Sequence, residues 1–147
     1  MLPVVRRLAH CSQRSFLNNQ FKRRRLRYSG VWLGIGWLLV ATIVYLSLAT
    51  ITVDVQVSHG DKFGHIAAYA VAAYWFMQLY KSGRSRSIIA LGLALLGVGL
   101  EFAQDESGYR TFDYADMVAD CIGIALGWIA APPRTPNLLE RIERMFA

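Results

Sequence analysis

The sequence predicts an all-α polytopic membrane protein, a bundle of four transmembrane helices. Of the 147 residues, 54% are hydrophobic and only 18% are charged. The apolar residues gather in four blocks with short polar joints between them, whereas a soluble domain of this size would interleave apolar and polar positions more finely. The basic residues are concentrated in alternate joints, which is typical of membrane proteins.

The four apolar blocks are the predicted spans. The first covers 31–50, and twenty helical residues rise about 30 Å, enough to cross the hydrocarbon. The apolar region of a signal peptide is shorter, so we interpret this span as a retained anchor. The others are predicted at 61–80, 87–104 and 114–131, the last closed by two prolines.

The distribution of Lys and Arg predicts the orientation. Residues 1–30, the joint between the second and third spans, and the tail 132–147 together hold 14 of the 16 Lys and Arg residues. Four spans place these three segments on one side, which the positive-inside rule makes the cytoplasm. We therefore expect a basic cytoplasmic segment (1–30), a membrane domain (31–131) and a cytoplasmic tail, in a multi-pass protein of the inner (plasma) membrane.

The charge pattern and the termini exclude some classes and leave one alternative. The net charge of +6 arises around the spans, so we expect no nucleic-acid partner. Residues 1–53 lack acidic residues, which also suits a mitochondrial transit peptide. In the tail, Thr135 resembles a helix N-cap followed by Pro136 at the first helical position, and predicts a short amphipathic helix on the inner leaflet. Cys11 and Cys121 lie in different segments, so no disulfide framework is predicted.

Polar residues occur at the three span ends that face outside. Within each group the spacing of three or four residues places several side chains on one helix face. The members are Asp61, Lys62, His65 and Tyr69 at the start of the second span, Glu101, Gln104 and Asp105 at the end of the third, and Arg110, Asp113, Asp116 and Asp120 around the start of the fourth.

These polar faces predict an acidic pocket open to the outside. An ionisable side chain costs several kcal/mol when it faces lipid, so the three helices should turn these faces toward one another. Gly123 and Gly127 continue the face of the fourth span and would let a neighbouring helix approach closely. Acidic residues outnumber basic ones here, so the pocket should keep some carboxyls protonated or recruit a cation.

Two kinds of role follow for these residues. The candidate catalytic residues are Asp61, His65, Glu101 and Asp116, because carboxylates beside a histidine suit general acid–base chemistry. The candidates for substrate binding are Lys62, Tyr69, Gln104, Arg110, Asp113 and Asp120. No motif indicates a metal or a cofactor, although His65, Glu101 and Asp116 or Asp120 could sterically hold a metal.

Simpler interpretations stay open. Lys62 and Arg110 could pair with Asp61 and Asp113 at the membrane surface, and His65 could be a satisfied core histidine. The whole pocket could also serve only to hold the helices together.

The three motifs in this order resemble the VanZ-like family. The matching residues are Asp61-Lys62-Phe63-Gly64-His65, then Glu101-Phe102-Ala103-Gln104, then Arg110 with Asp113, Asp116 and Asp120 followed by Gly123 and Gly127. The resemblance covers residues 55–131 and departs at Asp120, where the family more often has Asn. It implies a small bacterial polytopic membrane protein of the cell envelope, and the founding members are associated with reduced susceptibility to the glycopeptide teicoplanin.

Together these features predict an envelope protein whose pocket binds or processes a lipid-linked or peptidoglycan-related molecule. The alternative is a non-catalytic scaffold or assembly partner whose polar faces mediate helix and protein contacts. The lipid bilayer is the expected surrounding, and an oligomer is compatible with either function. Four short helices leave little room for alternating access, which disfavours a transporter.

Overall fold

The computed structural model describes residues 24–49, 60–107 and 113–146, and within them the chain forms five α-helices and no strand. The helices are α1 (Ser29–Leu48), α2 (Gly60–Leu79), α3 (Gly83–Glu106), α4 (Tyr114–Ala130) and α5 (Leu138–Met145). The first four run in alternating directions, so the bundle has two chemically different ends. We call them the acidic end, where α2 and α4 begin, and the basic end, where α1 and α3 begin. The basic segment 1–23 and Cys11 lie outside the described residues.

The tightest packing in the bundle is between α2 and α4. A Cβ atom at Gly123 would overlap the backbone carbonyl of Ile66, and one at Gly127 would overlap the carbonyl of Ala70. The two helices thus meet backbone to backbone, which small residues permit in membrane helix pairs. The close approach expected of this glycine pair is confirmed, and it brings the polar faces of α2 and α4 together.

The end of α2 is closed by three other parts of the chain. The last carbonyls of a helix have no partner within the helix, and burying them unpaired is costly. Arg86 of α3 donates twice, from Nη2 to Met77 O (2.8 Å) and from Nε to Tyr80 O (3.0 Å). Asn137, just before α5, donates from Nδ2 to Gln78 O (2.9 Å), and the N–H of Arg24, before α1, donates to Leu79 O (2.8 Å). The basic end is therefore a hydrogen-bonded junction of α2, α3, α5 and the segment before α1.

Helix α3 begins earlier than the sequence predicted. The expected span began at residue 87, with Arg84 and Arg86 in a cytoplasmic joint. The helix instead begins at Gly83, because Ser82 caps it by accepting a hydrogen bond from the Ser85 N–H. Arg86 is therefore a buried helical residue, and its guanidinium is used on the carbonyls of α2.

The tail helix is present, but its predicted cap is wrong. Helix α5 begins at Leu138 and is capped by Asn137, whose Oδ1 accepts from the Glu140 N–H at 2.9 Å. Thr135, the expected cap, donates its hydroxyl to Ala130 O at the end of α4. The sequence does not reveal this cap, because Asn137 is held in place by a second contact with a distant helix. Its Nδ2 donates to Gln78 O of α2.

The tail also fixes the residues that lead into α1. No side chain near the start of α1 caps it, and its first turn contains no acidic residue. Glu143 of α5 instead accepts hydrogen bonds from the N–H groups of Arg27 and Tyr28 and from Trp32 Nε1, each at 2.8 Å. Burial alone would raise the pKa of Glu143, but these bonds and the charge of Arg27 outweigh it, so its pKa lies below its ordinary value.

Two of the helices, α1 and α3, are long and apolar enough to cross a membrane. Only 11% of the most apolar part of α1 and 28% of that of α3 are buried, so neither resembles the enclosed core helix of a soluble protein. Helix α4 has 17 residues, and α2 carries several polar side chains, so neither meets the same criterion. The all-helical prediction is confirmed, and two candidate membrane-spanning helices are established.

Candidate functional site

Polar side chains of α2, α3 and α4 meet at the acidic end. Glu101, Asp116 and Asp120 are only 3%, 3% and 2% exposed, although carboxylates are rarely buried. They lie within a bundle whose outer surface is largely apolar. We call this group the acidic cluster, and its described side chains are Lys62, His65, Tyr69, Glu101, Asp113, Asp116 and Asp120.

Lys62 joins α2 to the start of α4. Its Nζ lies 2.6 Å from Asp113 Oδ2 and 3.0 Å from Asp116 Oδ1, so one ammonium group bridges two carboxylates. Lys62 and Asp113 are partly exposed and form the rim of the cluster, while Asp116 is buried beneath them. The side chain of Asp61, the expected partner of Lys62, lies outside the described residues.

His65 lies one turn deeper than Lys62 and contacts two further oxygens of α4. Its Nδ1 is 2.9 Å from Asp120 Oδ1, and its Nε2 is 3.9 Å from Asp116 Oδ2. The shorter contact is a hydrogen bond, and Asp116 lies at ion-pair distance from the other ring nitrogen. The ring is largely enclosed, so it can share a proton with Asp120 mostly out of contact with bulk water.

Asp113 and Glu101 position the first turn of α4. Asp113 is the N-cap, and its Oδ1 accepts from the Ala115 N–H at 2.8 Å. Glu101 of α3 accepts from the Asp113 N–H through Oε2 at 3.2 Å. Both carboxylates therefore satisfy N–H groups at a helix N-terminus, where negative charge is favoured. Glu101 links α3 to the cluster through the backbone of α4.

Gly97 makes room for the deepest carboxylate. A Cβ atom there would overlap Asp120 Oδ2 and would lie 3.2 Å from Tyr69 Oη. Tyr69 is only 1% exposed, and its hydroxyl has no hydrogen-bond partner. Asp120 and Glu101 are both close enough to act on it electrostatically. A buried hydroxyl without a hydrogen-bond partner costs free energy. Among the described side chains of the cluster, the Tyr69 hydroxyl is therefore the polar group whose hydrogen bonding is least satisfied.

Gln104 takes part in a different contact. Its Nε2 donates to Ser47 O at 2.8 Å and so ties the end of α3 to the end of α1. The side-chain amide of Gln104, a predicted substrate-binding residue, thus uses its donor group to hold α1 against the bundle. Arg110 lies outside the described residues. Among the residues that the structure does describe, no group of three His, Cys, Asp or Glu is arranged to hold a metal ion.

Sequence reasoning missed two features of this arrangement. Gly97 was not singled out, because its function depends on Asp120, which lies 23 positions away in the chain. The junction at the basic end was also missed, since Gln78, Asn137 and Arg86 resemble ordinary surface residues in the sequence. No local pattern marks either feature.

The cluster has the groups that acid–base chemistry requires. His65 can donate or accept a proton, with Asp116 and Asp120 on its two nitrogens. Glu101 adds a third carboxylate, and the rim ammonium of Lys62 adds a fixed positive charge. The chain matches no protein-family model, no curated protein and no solved structure, so the chemistry of the cluster rests on this geometry.

Proposed function

We propose that this protein is a four-span membrane protein of the cell envelope whose acidic cluster binds the polar headgroup of a lipid-linked or peptidoglycan-related molecule. The single observation that carries the proposal is the convergence of buried carboxylates from α3 and α4 with Lys62, His65 and Tyr69 of α2. Such a cluster is costly in an apolar bundle, and a ligand-binding function accounts for its retention.

The polarity of α2 and α4 supports their assignment as spans. In a soluble bundle, charged residues face out and large apolar residues face in. Here α4 buries Asp116 and Asp120, and its exposed large side chains are Tyr114, Val118, Ile122, Leu126 and Ile129. Helix α2 also exposes large apolar side chains, Phe63 and Val71, although most of its buried residues are apolar as well. The inverted pattern of α4 is expected of a helix that faces lipid.

The length of α4 is compatible with a span. Seventeen residues rise about 26 Å, a few ångströms less than the hydrocarbon thickness, and a bilayer accommodates such a mismatch at modest cost. The basic end carries Arg24, Lys81, Arg84, Arg86 and the arginines of the tail. By the positive-inside rule it faces the cytoplasm, which places the acidic cluster on the outer side.

The resemblance to the VanZ-like family gives the proposal its envelope context. The motif residues that carry the resemblance include most of the acidic cluster. If the headgroup is also processed, Glu101 or Asp116 acts as the general base and His65 as its proton-exchanging partner. Asp61 would join them, and Arg110 would orient an anionic group such as a phosphate.

A scaffold is the second candidate, and the pairing of the polar groups favours it. Lys62 and His65 are already matched with carboxylates of α4, and Gln104 is matched with α1. A cluster that served only to hold helices would be paired in this way. The unpaired Tyr69 hydroxyl is the feature that a pure scaffold does not explain.

Neutral variants of two cluster residues separate these functions. Glu101→Gln and His65→Gln retain side-chain size while removing ionisation, and exposed Glu106→Gln is the matched control on α3. Cells lacking the protein would be complemented with each variant, and susceptibility to glycopeptides and other envelope-directed antibiotics measured beside protein levels. We expect Glu101→Gln and His65→Gln to accumulate normally and to fail in complementation, while Glu106→Gln complements fully.

Two results would contradict the binding function. If Glu101→Gln and His65→Gln complement fully, ionisation of the cluster is irrelevant. If they fail to accumulate, the scaffold is favoured. The topology is tested separately by single cysteines at Tyr114 and Arg134, in a chain whose native cysteines are replaced by serine, with a membrane-impermeant maleimide. Labelling of intact cells at position 114 and not at 134 is expected.

A further inference from the structure

The acidic cluster contains more negative than positive charge. Its described side chains include four carboxyl groups, one lysine and one histidine. Even with His65 protonated, two negative charges have no counterpart among these residues. Buried charges of this kind are compensated by a proton or by a bound cation.

The rim shows which cation the carboxylates are arranged to accept. The Lys62 ammonium lies between Asp113 and Asp116 at 2.6 and 3.0 Å, distances of charge-assisted hydrogen bonds. We call the remaining part, His65, Tyr69, Glu101 and Asp120, the inner half of the cluster. Asp120 Oδ1 lies 2.9 Å from His65 Nδ1, and Glu101 Oε2 accepts from the Asp113 N–H. In the described residues neither of these two carboxylates is paired with a lysine or an arginine.

The inner half also contains the one buried hydroxyl of the cluster that lacks a partner. Tyr69 Oη is enclosed, borders the same glycine as Asp120 Oδ2, and interacts electrostatically with Asp120 and Glu101. A primary ammonium has three N–H donors and no acceptor, which matches two carboxylates and a hydroxyl oxygen. A neutral hydroxyl would leave the charge uncompensated, and a quaternary ammonium has no N–H to donate.

We propose that the inner half of the acidic cluster is a binding site for a primary ammonium group. The inference rests on the proposed function and specifies its ligand class as an amine-bearing headgroup. The amine is carried either by a membrane lipid or by a water-soluble molecule, and both present the same group to Glu101, Asp120 and Tyr69.

The test uses the full chain in nanodiscs of phosphatidylglycerol and phosphatidylcholine, whose headgroups have no ammonium N–H. The probes are phosphatidylethanolamine, its N-acetylated form and free ethanolamine, and the dissociation constant is measured by calorimetry. We expect phosphatidylethanolamine to bind at least about tenfold more tightly than the acetylated lipid, because acetylation removes the charge. Free ethanolamine that binds as well as the lipid would identify a water-soluble source, and weaker binding would identify the lipid.

Variants connect the binding to the inner half. Glu101→Gln should weaken binding of phosphatidylethanolamine about tenfold or more, because a charge-assisted hydrogen bond is lost. Tyr69→Phe, which keeps the ring and its packing, should weaken it by a smaller factor. Glu106→Gln removes a negative charge from the exposed end of the same helix and should leave binding unchanged.

The inference is overturned if no amine binds, if the acetylated lipid binds equally well, or if Glu101→Gln binds like the wild type. These outcomes differ from failure of the proposed function. Loss of complementation by Glu101→Gln without amine binding would reject the ammonium and keep the headgroup site. Amine binding with full complementation by Glu101→Gln would reject the proposed cellular function instead.

Discussion

Asp120 packs against Gly97 so closely that no side chain fits between them. This contact allows a carboxylate of α4 to lie beside α3 while its other oxygen reaches His65 of α2 at 2.9 Å. The deepest ionisable group of the bundle thus depends on a residue with no polar atom in its side chain. Close backbone approach is one of the few reasons to retain glycine within a helix.

Gly97→Ala should disrupt this contact. The new methyl group would displace Asp120, and overpacking of this kind costs about 1–3 kcal/mol. Gly99→Ala is the matched control, because nothing lies within 4 Å of a Cβ at that position of the same helix. Unfolding in mixed micelles would measure both, and equal stability of the two variants would contradict the packing of Asp120 on Gly97.

Gly127→Ala should separate α2 from α4. Its Cβ would meet the Ala70 carbonyl and lie 2.8 Å from the Tyr74 nitrogen, and backbone atoms cannot move away as a flexible side chain can. We expect a loss of about 1–3 kcal/mol or more in the free energy of unfolding. Gly64→Ala in α2, where a Cβ meets nothing within 4 Å, should be neutral or slightly stabilising.

Arg86→Lys should weaken the basic end although it keeps the charge. The guanidinium donates to two carbonyls of α2 from fixed positions, and a lysine ammonium cannot reproduce that geometry. Leaving a buried carbonyl unpaired costs about 1–3 kcal/mol. Arg84→Lys changes an exposed arginine two residues earlier and should have no effect in the same unfolding measurement. Equal losses in the two variants would show that the capping bonds are unimportant.

Glu143 should make stability depend on pH. Its pKa is lowered in the folded protein, so its stabilisation is fully present above the ordinary glutamate pKa of about 4.3. The stabilisation is lost as the pH falls through the lowered value. Glu143→Gln should therefore unfold more easily than the wild type at neutral pH, and the difference should shrink in acid.

The matched control for this pH dependence is Glu106→Gln, which lies at the other end of the bundle. Thermal unfolding at a series of pH values from neutral to below 4 would provide the measurement. A wild type and Glu143→Gln variant that differ equally at every pH would contradict the hydrogen bonds to the Glu143 carboxylate, because a loss of packing alone does not titrate.

Much of the architecture was predictable because helix formation in apolar blocks is a local property. The helices fall within a few residues of the predicted spans, and α3 differs most because Ser82 caps it by accepting from the Ser85 N–H. The grouping of polar residues was also predictable, since spacing of three or four positions fixes which side chains share a helix face. Asp116 and Asp120 illustrate this on α4.

The partners of these residues were not predictable. Nothing in the local sequence indicates that Lys62 bridges Asp113 and Asp116, or that Gln104 is drawn to Ser47 at the end of α1. Cross-helix contacts depend on the rotation and separation of whole helices. Here these are set by Gly123 and Gly127, which bring α2 and α4 into backbone contact.

By itself the sequence determined the helical class, the approximate helix positions and the two chemically different ends, because hydrophobicity and charge are properties of each segment alone. Only the tertiary structure decided which carboxylates meet, that the Tyr69 hydroxyl is enclosed beside them without a hydrogen-bond partner, and that Glu143 accepts hydrogen bonds from the start of a helix more than a hundred residues away. Those contacts form between separate helices. The free energy that favours them therefore depends on two segments together and is not a property of either segment alone.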